Sequence, residues 1–375
     1  MQPHCRRFWA RHPSFLTPRA IALWVVLGAG LLYYSLTSLY DFLYPTRNRS
    51  MVLVVAYMRS GSSLVGDILQ HHQSSFYVFE PLRSATELAY SNQSITFYNS
   101  SVRKYTSPEE ITQLHAELLY NWFTCNFSDL DLGSLTSDYL RFYSASTLPY
   151  HNCLRRYGGD VSSVKYCLGY IQSYCDHKEL RTIKTIRLNL KTVDILLKWL
   201  PRLRVIHLIR DPRAIIHSRV RVKLLTWEKI QQEAIDLCAK ISTDIPLSME
   251  LKQKYPERFK ILLYENLAER PEEVSHRMYT FAGIEIKAYV VGYVRYLTLY
   301  GRGVDCFWCT QRGNSKRTSL LWRIYTLYAH VRAIDEVCGR VYHMTGYQPI
   351  TNETTQLRNL SHPLRKTVRF TGDSL

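Results

Sequence analysis

MVLVVAYMRSGSSLVGDILQ, residues 51–70, is the stretch on which the fold turns. Met51–Tyr57 is a continuous, valine-rich apolar run, the pattern of a strand buried on both faces in a parallel sheet. Arg59-Ser60-Gly61-Ser62-Ser63-Leu64 interrupts it with small polar residues, and Leu64–Gln70 has helical character. A strand, a turn of small residues and a helix together aim backbone N–H groups at an anion. Gly61 admits backbone conformations that a Cβ forbids. Ser60, Ser62 and Ser63 add hydroxyl donors, and Arg59 adds a fixed positive charge. Taken alone, the turn is equally a polar loop with a serine cap; its place straight after a buried strand favours phosphate binding. It does not follow the GxxxxGK[ST] pattern, which weighs against ATP or GTP chemistry.

Outward from this unit the same alternation recurs. Phe76–Phe79 is a second short strand, followed by a polar stretch over 84–180 rich in Tyr, Ser and Cys. Strand Thr182–Ile186, helix Thr192–Leu200, strand Arg204–Ile209, helices near 212–221 and 227–255, strand Lys260–Leu263 and helix Pro271–Ala282 then follow. Such alternation predicts an α/β domain with a central parallel sheet, whose ligands bind at the carboxyl ends of the strands. A second candidate site sits at such an end. There Val205–Ile209 runs into Arg210-Asp211-Pro212-Arg213, with Ser218 two helical turns further on. Pro212 suits a first helical turn and Asp211 an N-cap. Arg210 and Ser218 then pair a guanidinium with a hydroxyl, a combination that grips one phosphate. Alone, this segment is equally a capped helix start with a surface ion pair.

Charge and topology point to an anionic partner and a membrane. The 375-residue chain carries a formal net charge of +17. Residues 1–19 hold Arg6, Arg7, Arg11 and Arg19 and no acid, so the remainder sets 44 basic against 31 acidic residues, or +13. A basic domain of this kind attracts nucleotides, polyanionic glycans, nucleic acid or acidic membrane. Ala20–Tyr40 is 21 residues without a charge, enough for a helix of about 30 Å, one bilayer core. Arginines before it and Asp41 after it predict a single-pass type II anchor. A cleaved signal peptide has a shorter apolar core, and Ser35-Leu36-Thr37 is a mediocre cleavage site. The expected organisation is a cytoplasmic tail at 1–19, an anchor at 20–40, a stem at 41–50, a lumenal domain at 51–350 and a C-terminal tail at 351–375.

Two further features agree with a lumenal domain. Sequons occur at Asn48, Asn92, Asn99, Asn126, Asn352 and Asn359. Cys125, Cys153, Cys167, Cys175, Cys238, Cys306, Cys309 and Cys338 permit four disulfides, whose pairing the sequence leaves open. Cys306-Phe307-Trp308-Cys309 lacks the partners of a zinc site, so a structural bridge is expected there.

RSGSS at 59–63 and LIRDPRAIIHSR at 208–219 together resemble the 5′-phosphosulfate and 3′-phosphate elements of the sulfotransferases that use 3′-phosphoadenosine 5′-phosphosulfate (PAPS). The wording is most similar to the Golgi carbohydrate 6-O-sulfotransferases acting on galactose, N-acetylgalactosamine or N-acetylglucosamine. Phe79-Glu80-Pro81, Lys184-Thr185-Ile186-Arg187, Tyr264-Glu265-Asn266-Leu267 and Trp322-Arg323 extend the resemblance over about 51–350. It implies a three-layer, P-loop-like sulfotransferase fold, PAPS as co-substrate, no required metal and a glycan or glycosaminoglycan acceptor. Ser60, Gly61, Ser62, Ser63 and Leu64 would hold the 5′-phosphate and sulfate. Arg210 and Ser218, framed by Asp211, Pro212 and Arg213, would hold the 3′-phosphate. Arg59 takes the place of a lysine near the bridging oxygen, and Lys184 matches a lysine that cytosolic relatives pair with a histidine base two positions later. That position is Ile186 here, so the base falls to Glu80, which resembles the glutamate of the heparan enzymes. The alternative for Glu80 is a structural carboxylate paired with Arg83 or Arg59. Arg312–Arg323 resembles a loop over the nucleotide, with Lys316 and Arg317 as candidates there.

Three rival readings stay open: a lumenal sulfotransferase for protein tyrosine, a membrane-tethered glycan-binding protein without chemistry, and a kinase disfavoured by the missing lysine. No nucleic-acid partner is expected, because the basic charge is scattered and lumenal. Oligomeric state, a homo-oligomer included, is left open.

Overall fold

The computed structural model describes residues 28, 30, 49–300, 309–368, 370 and 375. Residues 1–48 form a unit of their own in which Gly28 and Gly30 are helical. The expected cytoplasmic tail, nearly all of the anchor and most of the stem lie outside the described residues. Among those described, no helix is long and apolar enough to cross a membrane.

In the second unit, 49–375, the valine run does what its composition dictates. Along strand β1 (Ser50–Val55) and the two residues after it, Val52, Val54 and Ala56 face one apolar cluster while Leu53, Val55 and Tyr57 face another. A strand has a two-residue period, so burial of both rows requires cover on both faces. Four more strands complete the sheet: β2 (Ser75–Phe79), β3 (Leu180–Thr185), β4 (Leu203–Ile209) and β5 (Phe259–Leu263). Their spatial order is β2-β3-β1-β4-β5, and every pairing is parallel. β1 is central, with Val52 opposite Thr182 on one side and Arg204 on the other. All five carboxyl ends therefore share one edge.

Helix α1 (Ser62–Gln70), Pro271–Ala282 and Ala288–Arg295 contribute Leu64, Val274 and Val290 to one face. Pro108–Thr124, Leu190–Trp199, Ile230–Lys254 and Tyr328–Thr345 cover the other, through Leu114, Val193, Ile241 and Ile334. The architecture is the expected three-layer α/β fold, with strand bounds displaced by one or two residues from those read in the sequence.

Covalent and polar ties hold the less regular parts. Disulfides Cys125–Cys175 and Cys153–Cys167 fasten the stretch between β2 and β3, and Cys238–Cys338 joins Ile230–Lys254 to Tyr328–Thr345. Cys309 is also disulfide-bonded. Helix Pro108–Thr124 starts on a reciprocal cap between Ser107 and Glu110. At the open edge of the sheet, Ser146 Oγ accepts from Tyr77 N (2.8 Å) and Ser144 Oγ from Phe79 N (3.0 Å). These hydroxyls satisfy edge amides that would otherwise invite another strand. The segment after 350 returns to the domain. Buried Arg323 donates to the carbonyls of Leu357 (3.1 Å), His362 (3.2 Å) and Gln356 (2.5 Å), so one guanidinium holds a loop with no strand to pair with.

Candidate active-site cleft

The turn after β1 and the start of α1 form the floor of a cleft of about 310 Å³ at the carboxyl edge of the sheet. Gly61 caps α1 at φ +97° with no side-chain hydrogen bond to the first turn. The first amides of a helix have no partner within it, so this end is built for a ligand's acceptors. A Cβ at Gly61 would also stand 2.2 Å from the Tyr264 ring. Gly61→Ala is therefore expected to destabilise the chain by at least about 1–3 kcal/mol, measured as a lower denaturation midpoint. An unchanged midpoint would show that the turn relaxes freely.

The second motif meets the first across this cleft. Arg59 Nε donates to Ser218 Oγ (3.1 Å), and Arg210 Nη1 donates to the Arg59 carbonyl (3.0 Å). Arg210 lies over the Tyr264 ring at 4.1 Å, so the tyrosine is held between the glycine turn and the guanidinium. Two buried polar atoms lack a hydrogen-bond partner in this ligand-free chain: Ser60 Oγ and Arg210 Nε. Orphaned groups of this sort are rare in cores and common where a ligand completes them.

Glu80 occupies the end of β2, with its side chain 2% exposed. Lys184 Nζ donates to its Oε1 at 2.6 Å, and Arg187 Nη1 pairs with its Oε2. The Ile186 amide (3.4 Å) and Thr185 hydroxyl (3.5 Å) approach the same Oε2. The carboxylate therefore joins Lys184 and Arg187, not Arg83 or Arg59; Arg83 pairs with Glu87 at 2.8 Å. Both Arg59 (φ +71°) and Glu80 (φ +52°) have left-handed backbone, costly for side chains with a Cβ and concentrated at functional sites.

Electrostatically the cleft is one-sided. Arg59, Lys184, Arg187, Arg210, Arg221 and Arg312 line it, against the single carboxylate of Glu80. Burial, reinforced by Arg312 and Arg210, lowers the Arg59 pKa to about 10, which leaves it charged near neutrality. Burial likewise lowers Lys184, against the pull of Glu80. His217 is brought down to about 4 by burial and by Arg210 and Arg221, so it is neutral at pH 7. Cations crowded at this cost are relieved by a bound polyanion.

Of the residues singled out in the sequence, Arg59, Gly61, Ser62, Ser63, Leu64, Glu80, Lys184, Arg210 and Ser218 line this one cleft. Ser60 is fully buried beneath the turn. Asp211, Pro212 and Arg213 are not brought to it. Asp211 caps its helix through Arg213 N (2.9 Å), and Arg213 turns inward to Asp211 (2.8 Å) and Asp335 (3.3 Å), flanked by Trp322 and Tyr342. Lys316 and Arg317 are exposed on helix Ser315–Tyr325, whose cleft-facing residues are Ser315, Thr318, Leu321 and Trp322. Sequence reasoning assigned no role to Tyr264, Arg187, His217, Arg221 or Arg312. The first three lie inside the quoted motifs, whereas the strand-end pattern carries no signal for the last two.

Fold and cleft define an α/β protein built around a polyanionic ligand at a strand-end edge. The model of the sulfotransferase family matches residues 52–288. Carbohydrate sulfotransferase 3 of Rattus norvegicus is 26% identical over 346 residues, covering 84% of this chain and 70% of that protein. Carbohydrate sulfotransferase 5 of Mus musculus is 26% identical over 344 residues, covering 84% of each. A solved sulfotransferase domain from the Synechococcus PCC 7002 olefin synthase is 16% identical, with a TM-score of 0.46 over 77% of this chain and 94% of that one. The chain belongs to the sulfotransferase family and is an enzyme of that class.

Proposed function

We propose that this cleft transfers a sulfuryl group from PAPS to the 6-hydroxyl of a galactose, N-acetylglucosamine or N-acetylgalactosamine residue in a glycan or proteoglycan. One observation carries the reading: two anion-binding strand ends about 150 residues apart are tied together through Arg59, Ser218 and Arg210 in one cationic cleft. A nucleotide phosphorylated at both ends is the ligand that uses both. The residues fit it, because the uncapped first turn of α1 and the orphaned Ser60 Oγ and Arg210 Nε await acceptors.

The chemistry then follows from the side chains. The acceptor oxygen attacks sulfur in line with the departing phosphate; the new O–S bond forms as the S–O(phosphate) bond breaks. The hydroxyl proton passes to Glu80, and the electron pair leaves with 3′-phosphoadenosine 5′-phosphate (PAP). A carboxylate between two cations has little affinity for a proton. Proton uptake is therefore favoured when Lys184 turns from Glu80 towards the charge growing on the leaving phosphate. The Glu80–Lys184 ion pair thus couples base to electrophile, and Arg59 shares the same developing charge. No metal is needed in this scheme.

A lumenal, Golgi-type membrane-anchored chain is part of the proposal. It is supported by the three disulfides and by the exposure of Asn92, Asn99, Asn352 and Asn359. The test is incubation of the full-length chain, expressed through the secretory pathway, with radiolabelled PAPS and keratan, chondroitin and N-acetylglucosamine-terminated acceptors. Label at the sugar 6-hydroxyl is expected, on a chain whose mass falls with N-glycosidase. Label only on a tyrosine peptide, or PAP binding with no transfer, would replace this reading with one of its rivals.

A further inference from the structure

Three aromatic rings close the end of the cleft beside Glu80 and have no part in holding the nucleotide. Phe79 directly precedes Glu80 at the end of β2. Its ring stacks on Tyr143, with centroids 4.6 Å apart and planes 24° from parallel. Tyr139 meets both rings edge-on at 5.4 Å. The Lys184 ammonium sits 4.3 Å from the Phe79 centroid, and the Arg83 guanidinium 4.7 Å from that of Tyr139. All three rings line the cleft, and Tyr143 is still 38% exposed.

This arrangement is held in place. Directly after Tyr143, Ser144 and Ser146 hydrogen-bond the edge of β2, so the aromatic segment cannot shift without releasing those amides. An aromatic face carries negative potential, which repels phosphate and sulfate and attracts polarised C–H groups. Half-open tyrosine beside six cations therefore suits a different ligand from the one the cations suit. A pyranose ring is that ligand: one face presents C–H bonds, and hydroxyls stand on the rim.

We infer that Tyr143, stacked on Phe79 and braced by Tyr139, is the platform on which the acceptor sugar ring lies with a rim hydroxyl at Glu80. This rests on reading the cleft as a carbohydrate sulfotransferase site and identifies the part of the chain that recognises its acceptor. Tyr143 is a binding residue in this account, with its ring, not its phenol, making the contact.

The experiment titrates a fluorescent N-acetyllactosamine oligosaccharide against the full-length chain, with and without saturating PAP, and measures PAP affinity separately. Tyr143→Ala is expected to weaken oligosaccharide binding about tenfold. It should raise the acceptor KM to match, while PAP affinity and kcat stay within about threefold of wild type. Tyr143→Phe should bind the oligosaccharide within about threefold of wild type. Unchanged oligosaccharide affinity in Tyr143→Ala overturns the inference, as does parallel loss of PAP affinity, which would make the ring a structural prop. Tighter, Tyr143-dependent binding of a tyrosine peptide overturns it in favour of a protein acceptor. A wild-type chain that fails to bind PAP sinks the nucleotide reading alone, because the titration without PAP still reports on the platform.

Discussion

Arg59→Ala is expected to lower sulfuryl transfer by about 10²–10³-fold while leaving the ligand-free chain no less stable than wild type. The two halves of this expectation come from one cause. Arg59 is a guanidinium held in a partly desolvated cleft against Arg312 and Arg210, and its pKa falls from the usual 12.5 to about 10. A base with a depressed folded pKa destabilises the fold wherever it is charged, which is everywhere below about pH 10. That penalty disappears in the alanine variant and offsets the lost hydrogen bond to Ser218. With ligand the balance reverses, since the same charge then faces a polyanion. Transfer from radiolabelled PAPS and thermal unfolding with and without PAP read both halves. The variant should unfold no earlier than wild type without PAP and gain less from it. Near-normal turnover would remove Arg59 from the chemistry and, with it, the main argument for placing the leaving phosphate at this turn.

Some parts of the site were legible in the sequence because they are local. A buried strand, a turn of small residues and a helix occupy consecutive positions, so RSGSS announces its backbone geometry within five residues. The same holds for Arg210 and Ser218, two turns apart on one helix start. Arg213 shows where locality ends. Its sequence neighbours permit either a phosphate contact or an inward turn, and the choice is made by Asp335, 122 residues later, whose carboxylate receives it in the core. Glu80 shows the same limit. Its spacing from Arg59 identified it as a candidate, but its partners Lys184 and Arg187 arrive on a strand paired to β2 only in the sheet. Disulfide pairing is non-local by nature: Cys238 and Cys338 are separated by 100 residues and meet because two long helices cross. The aromatic platform was hidden in the polar, tyrosine-rich stretch, where helical segments of four residues give no periodicity to read.

Glu80→Gln is expected to lose about 10²–10⁴ in transfer rate while keeping PAP affinity within about threefold of wild type. Glutamine has nearly the same shape and still accepts from Lys184, but it cannot take the acceptor's proton. The rival role is that of a counter-ion. Glu80 is almost fully buried between Lys184 and Arg187, and removing one partner of such a pair costs about 3–5 kcal/mol when the survivors stay buried. That role predicts a different signature: an earlier unfolding midpoint, with turnover per folded molecule near wild type. Both can be read on one preparation, by chemical denaturation and by single-turnover transfer normalised to PAP-binding sites. Loss of rate at the chemical step, beyond any loss of folded molecules, assigns the proton to Glu80. Full turnover in the folded fraction would make Glu80 the clamp that positions Lys184 and move the base elsewhere in the cleft. The neutral imidazole of His217, already lining that cleft, would then be the next group to substitute.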